Sequence, residues 1–141
     1  MGIGKRTEIA RPIDEVFDYV ADTRNETKWH PRVRSIEKTS EGPIGVGTTF
    51  RGDYKGSGEM DFSLVEYERP THLRFTGGNG QVSIDATIDF REHDGHTHAT
   101  FDLDLRPNGF FRLIMPLMAP MIRRQYAQAV PALKRALETR P

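Results

Sequence analysis

Val82-Ser83-Ile84-Asp85-Ala86-Thr87-Ile88-Asp89-Phe90 alternates without a slip, apolar at the even numbers and polar at the odd. A period of two sends successive side chains to opposite faces, so this stretch reads as a strand with one face in a core and the other in water. The pattern repeats on both sides of it. Phe101, Leu103 and Leu105 oppose Thr100, Asp102 and Asp104, while Met60, Phe62 and Leu64 oppose Glu59, Asp61 and Ser63. Turn signals at Gly42-Pro43, Gly56-Ser57-Gly58, Arg69-Pro70, Gly77-Gly78-Asn79-Gly80 and Asp94-Gly95 divide residues 33–107 into an antiparallel meander of about six strands. Within residues 46–54, Val46, Thr48, Phe50 and Tyr54 take the inward parity and Arg51 and Asp53 the outward one.

Outward from the meander the period changes. After Asn108-Gly109 a helical stripe runs through Leu113, Leu117 or Met118, Met121 or Ile122, Ala129, Leu133 and Leu137. Pro116 and Pro120 are expected to separate a short leading helix from the main one, and Pro131 to bend the main helix near Gln128. On the N-terminal side, residues 2–10 alternate as a further strand, bringing the sheet to about seven. Pro12 then opens a helix with Asp14 and Glu15 in its first turn and Ile13, Val16, Phe17 and Val20 on one face. Residues 23–30 form a short second helix or turn, stopped by Pro31. The expected fold is α+β: a curved antiparallel sheet around a long C-terminal helix.

Length and composition narrow the functions. A chain of 141 residues fits one domain with a real core, residues 1–141. Twenty basic and twenty acidic residues cancel, leaving no overall field for a nucleic acid or an anionic membrane. The absence of cysteine removes disulfides and thiolate chemistry and fits a cytoplasmic protein. The N-terminus shows no signal-peptide core, and Asn25-Glu26-Thr27 is then an empty sequon. Residues 110–122, the longest apolar-rich stretch, are interrupted by Arg112, Pro116 and Pro120 and fall short of the about 20 residues of a membrane span.

Several phrases carry a family resemblance: residues 10–17 (ARPIDEVF), Trp29-His30-Pro31, residues 45–50 (GVGTTF), Glu66-Tyr67-Glu68-Arg69-Pro70, Leu73-Arg74-Phe75 and residues 133–138 (LKRALE). Together, from Ile3 to Glu138, they resemble the START/polyketide-cyclase-like (SRPBCC) superfamily, in its polyketide cyclase/dehydrase-like branch. The resemblance implies a helix-grip fold with an apolar cavity, used in the superfamily for carrying lipids and hormones or for cyclising polyketides. Cyclases and aromatases that this chain resembles often place an arginine in the pocket. Here residues 58–67 contain none, and Arg74 has outward parity.

The expected ligand is a small hydrophobic molecule of lipid, polyketide or isoprenoid type, with no cofactor. The expected wall comprises Trp29, Phe50, Tyr54, Phe62, Phe75, Ile84, Phe101, Met118, Met121 and Gln125, with Met115, Phe110 and Phe111 extending it. Tyr54 shares parity with Phe50, which aims its hydroxyl inward as a polar handle, and Gln125 is a second handle on the helical stripe. If a reaction occurs, Tyr54 and His30 are the candidates to move protons. The carboxylates at 53, 61, 85, 89, 102 and 104 take the outer face. His93, Asp94, His96 and His98 surround a flexible hairpin turn and lack a stiff third ligand, so no metal is expected. A homodimer contact, if present, falls to residues 110–121.

Overall fold

The computed structural model describes residues 1–140. Strand β1 (Gly2–Ile9) is followed by helix α1 (Ile13–Ala21), a 3-10 turn (Thr23–Asn25) and the short helix α2 (Glu26–Trp29). Six strands follow: β2 (Val33–Lys38), β3 (Thr49–Tyr54), β4 (Gly58–Glu68), β5 (His72–Gly78), β6 (Val82–His93) and β7 (His96–Pro107). Helix α3 (Phe111–Glu138) closes the chain. All neighbours are antiparallel in one seven-stranded sheet of order β1-β7-β6-β5-β4-β3-β2, so the first strand pairs with the last and the rest is a meander.

The alternation of residues 82–90 is realised in β6, where Ile88 and Phe90 are buried and Ser83 and Asp89 are exposed. In β4 the register slips between Leu64 and Glu66. One extra residue there moves the inward parity from even to odd numbers, so Leu64 and Tyr67 both face the core cluster and the sheet bends more strongly. The outward carboxylates meet arginines: Arg74 makes two bonds to Asp85, at 3.0 and 2.7 Å, and one of 3.1 Å to Glu66.

The core lies between the concave face and the two longer helices. Phe17 of α1 is fully enclosed, edge-on to Tyr67 and Phe90 with ring centroids 5.2 and 5.5 Å away. Leu133 and Leu137 of α3 are equally enclosed. Glu138 fastens the end of α3 to the β1–α1 junction, accepting from the Ala10 N–H at 2.8 Å and from Lys134 at 2.8 Å.

Two local expectations need correction. The strand expected over residues 46–54 begins only at Thr49, because Gly47 has φ +94° and turns the chain; Val46 is 70% exposed instead of inward. The helix expected to divide at Pro116 and Pro120 is continuous from Phe111 to Glu138, and it also runs unbroken through Pro131. At 100° per residue the three prolines fall within about 60° of one another on one exposed side, where water can satisfy the carbonyls that each missing N–H leaves behind.

Candidate functional site

Between the concave face, α2 and the middle of α3 lies a cavity of about 260 Å³. Its walls are mainly aromatic and aliphatic, with Phe62, Phe75, Ile84 and Phe101 supplied by successive strands and Ile122 by α3. Of the residues expected to form the wall, Trp29, Tyr54, Phe62, Phe75, Ile84, Phe101 and Gln125 line this cavity. Phe50, Met118 and Met121 do not. Phe50 has the right parity but is fully buried in the packed core, away from the open space. Met118 lies a turn before Ile122, the first residue of α3 to line the cavity, and Met121, beside Ile122, turns away from the cavity and is 49% exposed.

The polar centre of the cavity is a residue that strand parity alone could not reach. Glu26, the first residue of α2, directs its carboxylate toward Tyr54, whose hydroxyl donates at 3.2 Å to Oε1 and 3.1 Å to Oε2. Two local bonds fix the turn that presents Glu26. Asp22 accepts from the Arg24 N–H at 3.1 Å, and the Asn25 amide donates to the Tyr19 carbonyl at 2.9 Å. By surface area Glu26 is only half-buried, since the cavity itself is accessible space, yet protein surrounds the carboxylate closely. That desolvation pushes its pKa up to about 7, with the Tyr54 hydrogen bond pulling the other way. Burial and the Glu26 charge both raise the Tyr54 phenol, which stays a neutral donor.

Glycine places the tyrosine. Gly52 shares the inward face with Tyr54, and a Cβ there would stand 2.6 Å from the Tyr54 ring and 2.7 Å from Ile36 Cδ1. The ring lies back over the space that a side chain would fill. Gly52→Ala is therefore expected to cost about 1–3 kcal/mol in urea denaturation and to displace Tyr54 from Glu26.

His30 packs edge-on to Tyr54, ring centroids 5.8 Å apart, and beside Trp29 at 5.3 Å. Its Nδ1 accepts from the Arg32 N–H at 3.1 Å, which leaves the ring proton on Nε2. Burial, assisted by the Arg32 charge, lowers its pKa to about 4. At neutral pH His30 is thus an uncharged donor. Arg32 and Lys55 stand at the same end of the cavity, with Arg32 donating to the Lys55 carbonyl at 2.6 Å. Tyr126 of α3 also lines the cavity, and its phenol is raised by burial and by the Glu26 charge.

Elsewhere, Arg74 faces outward as its parity implies. The shallow hollow around it on the outer sheet face is lined by Glu66, Asp85, Asp102 and Asp104, with Arg74 already paired to the first two. His96 pairs with Glu8 at 2.8 Å and His93 with Asp94 at 3.3 Å. Among the described residues no group of three or more metal-binding side chains gathers, and no helix is long and apolar enough to cross a membrane.

A sheet gripping a long helix around an apolar cavity defines a helix-grip protein of the START-like class. The sequence matches the family model described as polyketide cyclase / dehydrase and lipid transport over residues 3–138, and the chain belongs to that family. Among curated proteins no sequence match was found. Solved structures share the fold at low identity. A protein from Thermus thermophilus superposes with TM-score 0.74 at 16% identity, covering 98% of this chain and 94% of that one. A START superfamily protein from Mycobacterium smegmatis gives 0.68 at 16%, covering 97% and 94%. The di-domain ARO/CYC BexL from the BE-7585A biosynthetic pathway gives 0.71 at 14%, covering all of this chain and 51% of that one.

Proposed function

We propose that this protein binds a compact, mostly apolar molecule in the cavity and anchors it by a hydroxyl or protonated amine donated to Glu26. One observation carries the reading: an apolar cavity whose lining contains a single carboxylate, held by Tyr54 and by no cation. At about 260 Å³ the space lies just below the ~300–1,000 Å³ typical of small-molecule sites, which favours a compact ligand over a long-chain lipid. Burial supplies the affinity, about 0.8 kcal/mol per CH₂ group. Glu26 supplies the orientation. A ligand carboxylate placed about 4 Å from it would meet repulsion of roughly 4 kcal/mol, so acids are disfavoured in that pose.

The test is a matched series, adamantylmethylamine, adamantylmethanol and adamantanecarboxylate, titrated above the Glu26 pKa. Trp29, the sole tryptophan, lines the cavity and reports by fluorescence. The amine and alcohol are expected to saturate, with the acid weaker by about tenfold or more. Glu26→Gln should erase that preference. Equal binding of the acid to the unaltered protein would show that Glu26 is not the anchor.

A second reading, a cyclase- or dehydratase-type enzyme in the same cavity, is favoured by Glu26 alone. A carboxyl with pKa about 7 is populated in both protonation states near neutrality and can take a proton from carbon or return it. It predicts deuterium exchange into the carbon next to the carbonyl of a bound adamantyl ketone, lost in Glu26→Gln. No exchange above the solution rate would leave the cavity a binding site only.

A further inference from the structure

The first half of α3 makes almost no use of the sheet. Its buried residues, Ala129, Val130, Leu133 and Leu137, all lie in the second half, and nothing from Phe111 to Gln128 is buried. Yet that uncovered half is apolar nearly all round. Phe110 is 68% exposed, Leu113 74%, Leu117 83% and Met121 49%, and at 100° per residue they occupy an arc of about 80°. A large exposed apolar patch on one helix is a contact surface.

Charge says what covers it. The cancellation over the whole chain does not hold locally: between Asp104 and Glu138 there is no acidic residue, whereas Arg106, Arg112, Arg123, Arg124, Lys134 and Arg135 are basic. Arg112, Arg123 and Arg124 are exposed and form no ion pair with any described residue. A second copy fits poorly. An antiparallel two-fold pairing centred on Leu117 would bury Arg124, which at 100° per residue lies within the apolar arc, against a segment that offers it no acidic partner. A surface that is apolar inside and negative outside satisfies both features.

We propose that the first half of α3 docks on the surface of an anionic lipid bilayer, with Phe110, Leu113, Leu117 and Met121 in the acyl boundary and the arginines among the headgroups. The helix lies on the membrane and does not cross it, since residues 110–122 are too few for the about 20 that a span needs. The same helix continues into Ile122, Gln125 and Tyr126 of the cavity lining, so docking brings the cavity close to the lipid surface. Docking does not depend on the identity of any ligand in the cavity.

Flotation with phosphatidylcholine vesicles containing about one-third phosphatidylglycerol tests it. The protein is expected to float with these vesicles. Its partition coefficient should fall about tenfold on omitting phosphatidylglycerol and about tenfold or more in the Leu113→Glu/Leu117→Glu variant. Both leucines are exposed, so the variant's urea denaturation should match that of the unaltered chain, which separates lost docking from lost folding. Failure to float with anionic vesicles overturns the proposal, as does undiminished floating of the double variant. Sedimentation equilibrium provides the remaining outcome: a dimer dissociated by the double variant, without vesicle binding, assigns this face to a second copy and overturns the bilayer.

Discussion

Phe17→Ala is expected to cost about 3–5 kcal/mol of folding stability. Phe17 is fully enclosed, and its ring meets Tyr67 from β4 and Phe90 from β6 edge-on. Removing it empties a point at which α1 reaches both strands at once. The lost transfer energy, the residual cavity and two aromatic contacts worth about 0.5–1.5 kcal/mol each act in the same direction. Domains of this size have about 5–15 kcal/mol in total, so the variant should be marginal. Urea denaturation measures the loss. Exposed Leu117→Ala, measured alongside, should stay within about 0.5 kcal/mol. A loss at Phe17 no larger than that would mean that the α1–sheet contact is not where stability resides.

The second large effect is a pH dependence that two residues conceal from one another. Folding raises the Glu26 pKa from 4.5 to about 7. The folded state therefore holds more protons across that interval. Its stabilising contribution is complete below pH 4.5 and is lost as the pH rises through 7. His30 behaves oppositely. Its pKa falls from 6.5 to about 4, so its contribution is complete above pH 6.5 and is lost as the pH falls through 4. Each shift corresponds to about 3 kcal/mol, or about 2 once the water admitted by the cavity is allowed for. Between roughly pH 4.5 and 6.5 the two slopes oppose, and the unaltered protein should show a nearly flat profile there. Glu26→Gln should unmask a rise in stability with pH, and His30→Gln a fall, each of about 2 kcal/mol in urea denaturation across a pH series. Parallel profiles for the unaltered protein and Glu26→Gln would show that Glu26 does not titrate out of its ordinary range.

The parts legible in the sequence are those governed by local periodicity. Residues 82–90 alternate, and the strand follows; Tyr54 shares parity with Phe50, and both face inward. The misread parts depend on something other than period. Val46 fits the alternation, but Gly47 turns the backbone before it can join β3. The prolines of α3 resemble stops taken one at a time, and only their common exposed side explains why the helix continues. Met118 lies on the helical stripe but a turn before α3 reaches the cavity, and of Met121 and Ile122, both of which suit the stripe, Ile122 is the one that turns inward. Glu26 reads in the sequence only as part of a sequon, because a glutamate opening a short helix normally faces water. Its spacing three and four residues before Trp29 and His30 puts all three on one helical face, a signal available in the sequence. What no local pattern holds is the pairing with Tyr54, 28 positions away, which depends on α2 meeting the end of β3.

The central claim, a buried carboxyl that anchors the ligand, is tested most directly by titrating the Glu26 side chain by carbon NMR in protein labelled at glutamate, assigned by its disappearance in Glu26→Gln. The predicted midpoint lies near pH 7 in the free protein and moves down by about one unit or more when adamantylmethylamine fills the cavity and supplies the missing positive charge. A midpoint at the ordinary glutamate value, or one that does not move when the amine binds, would contradict it.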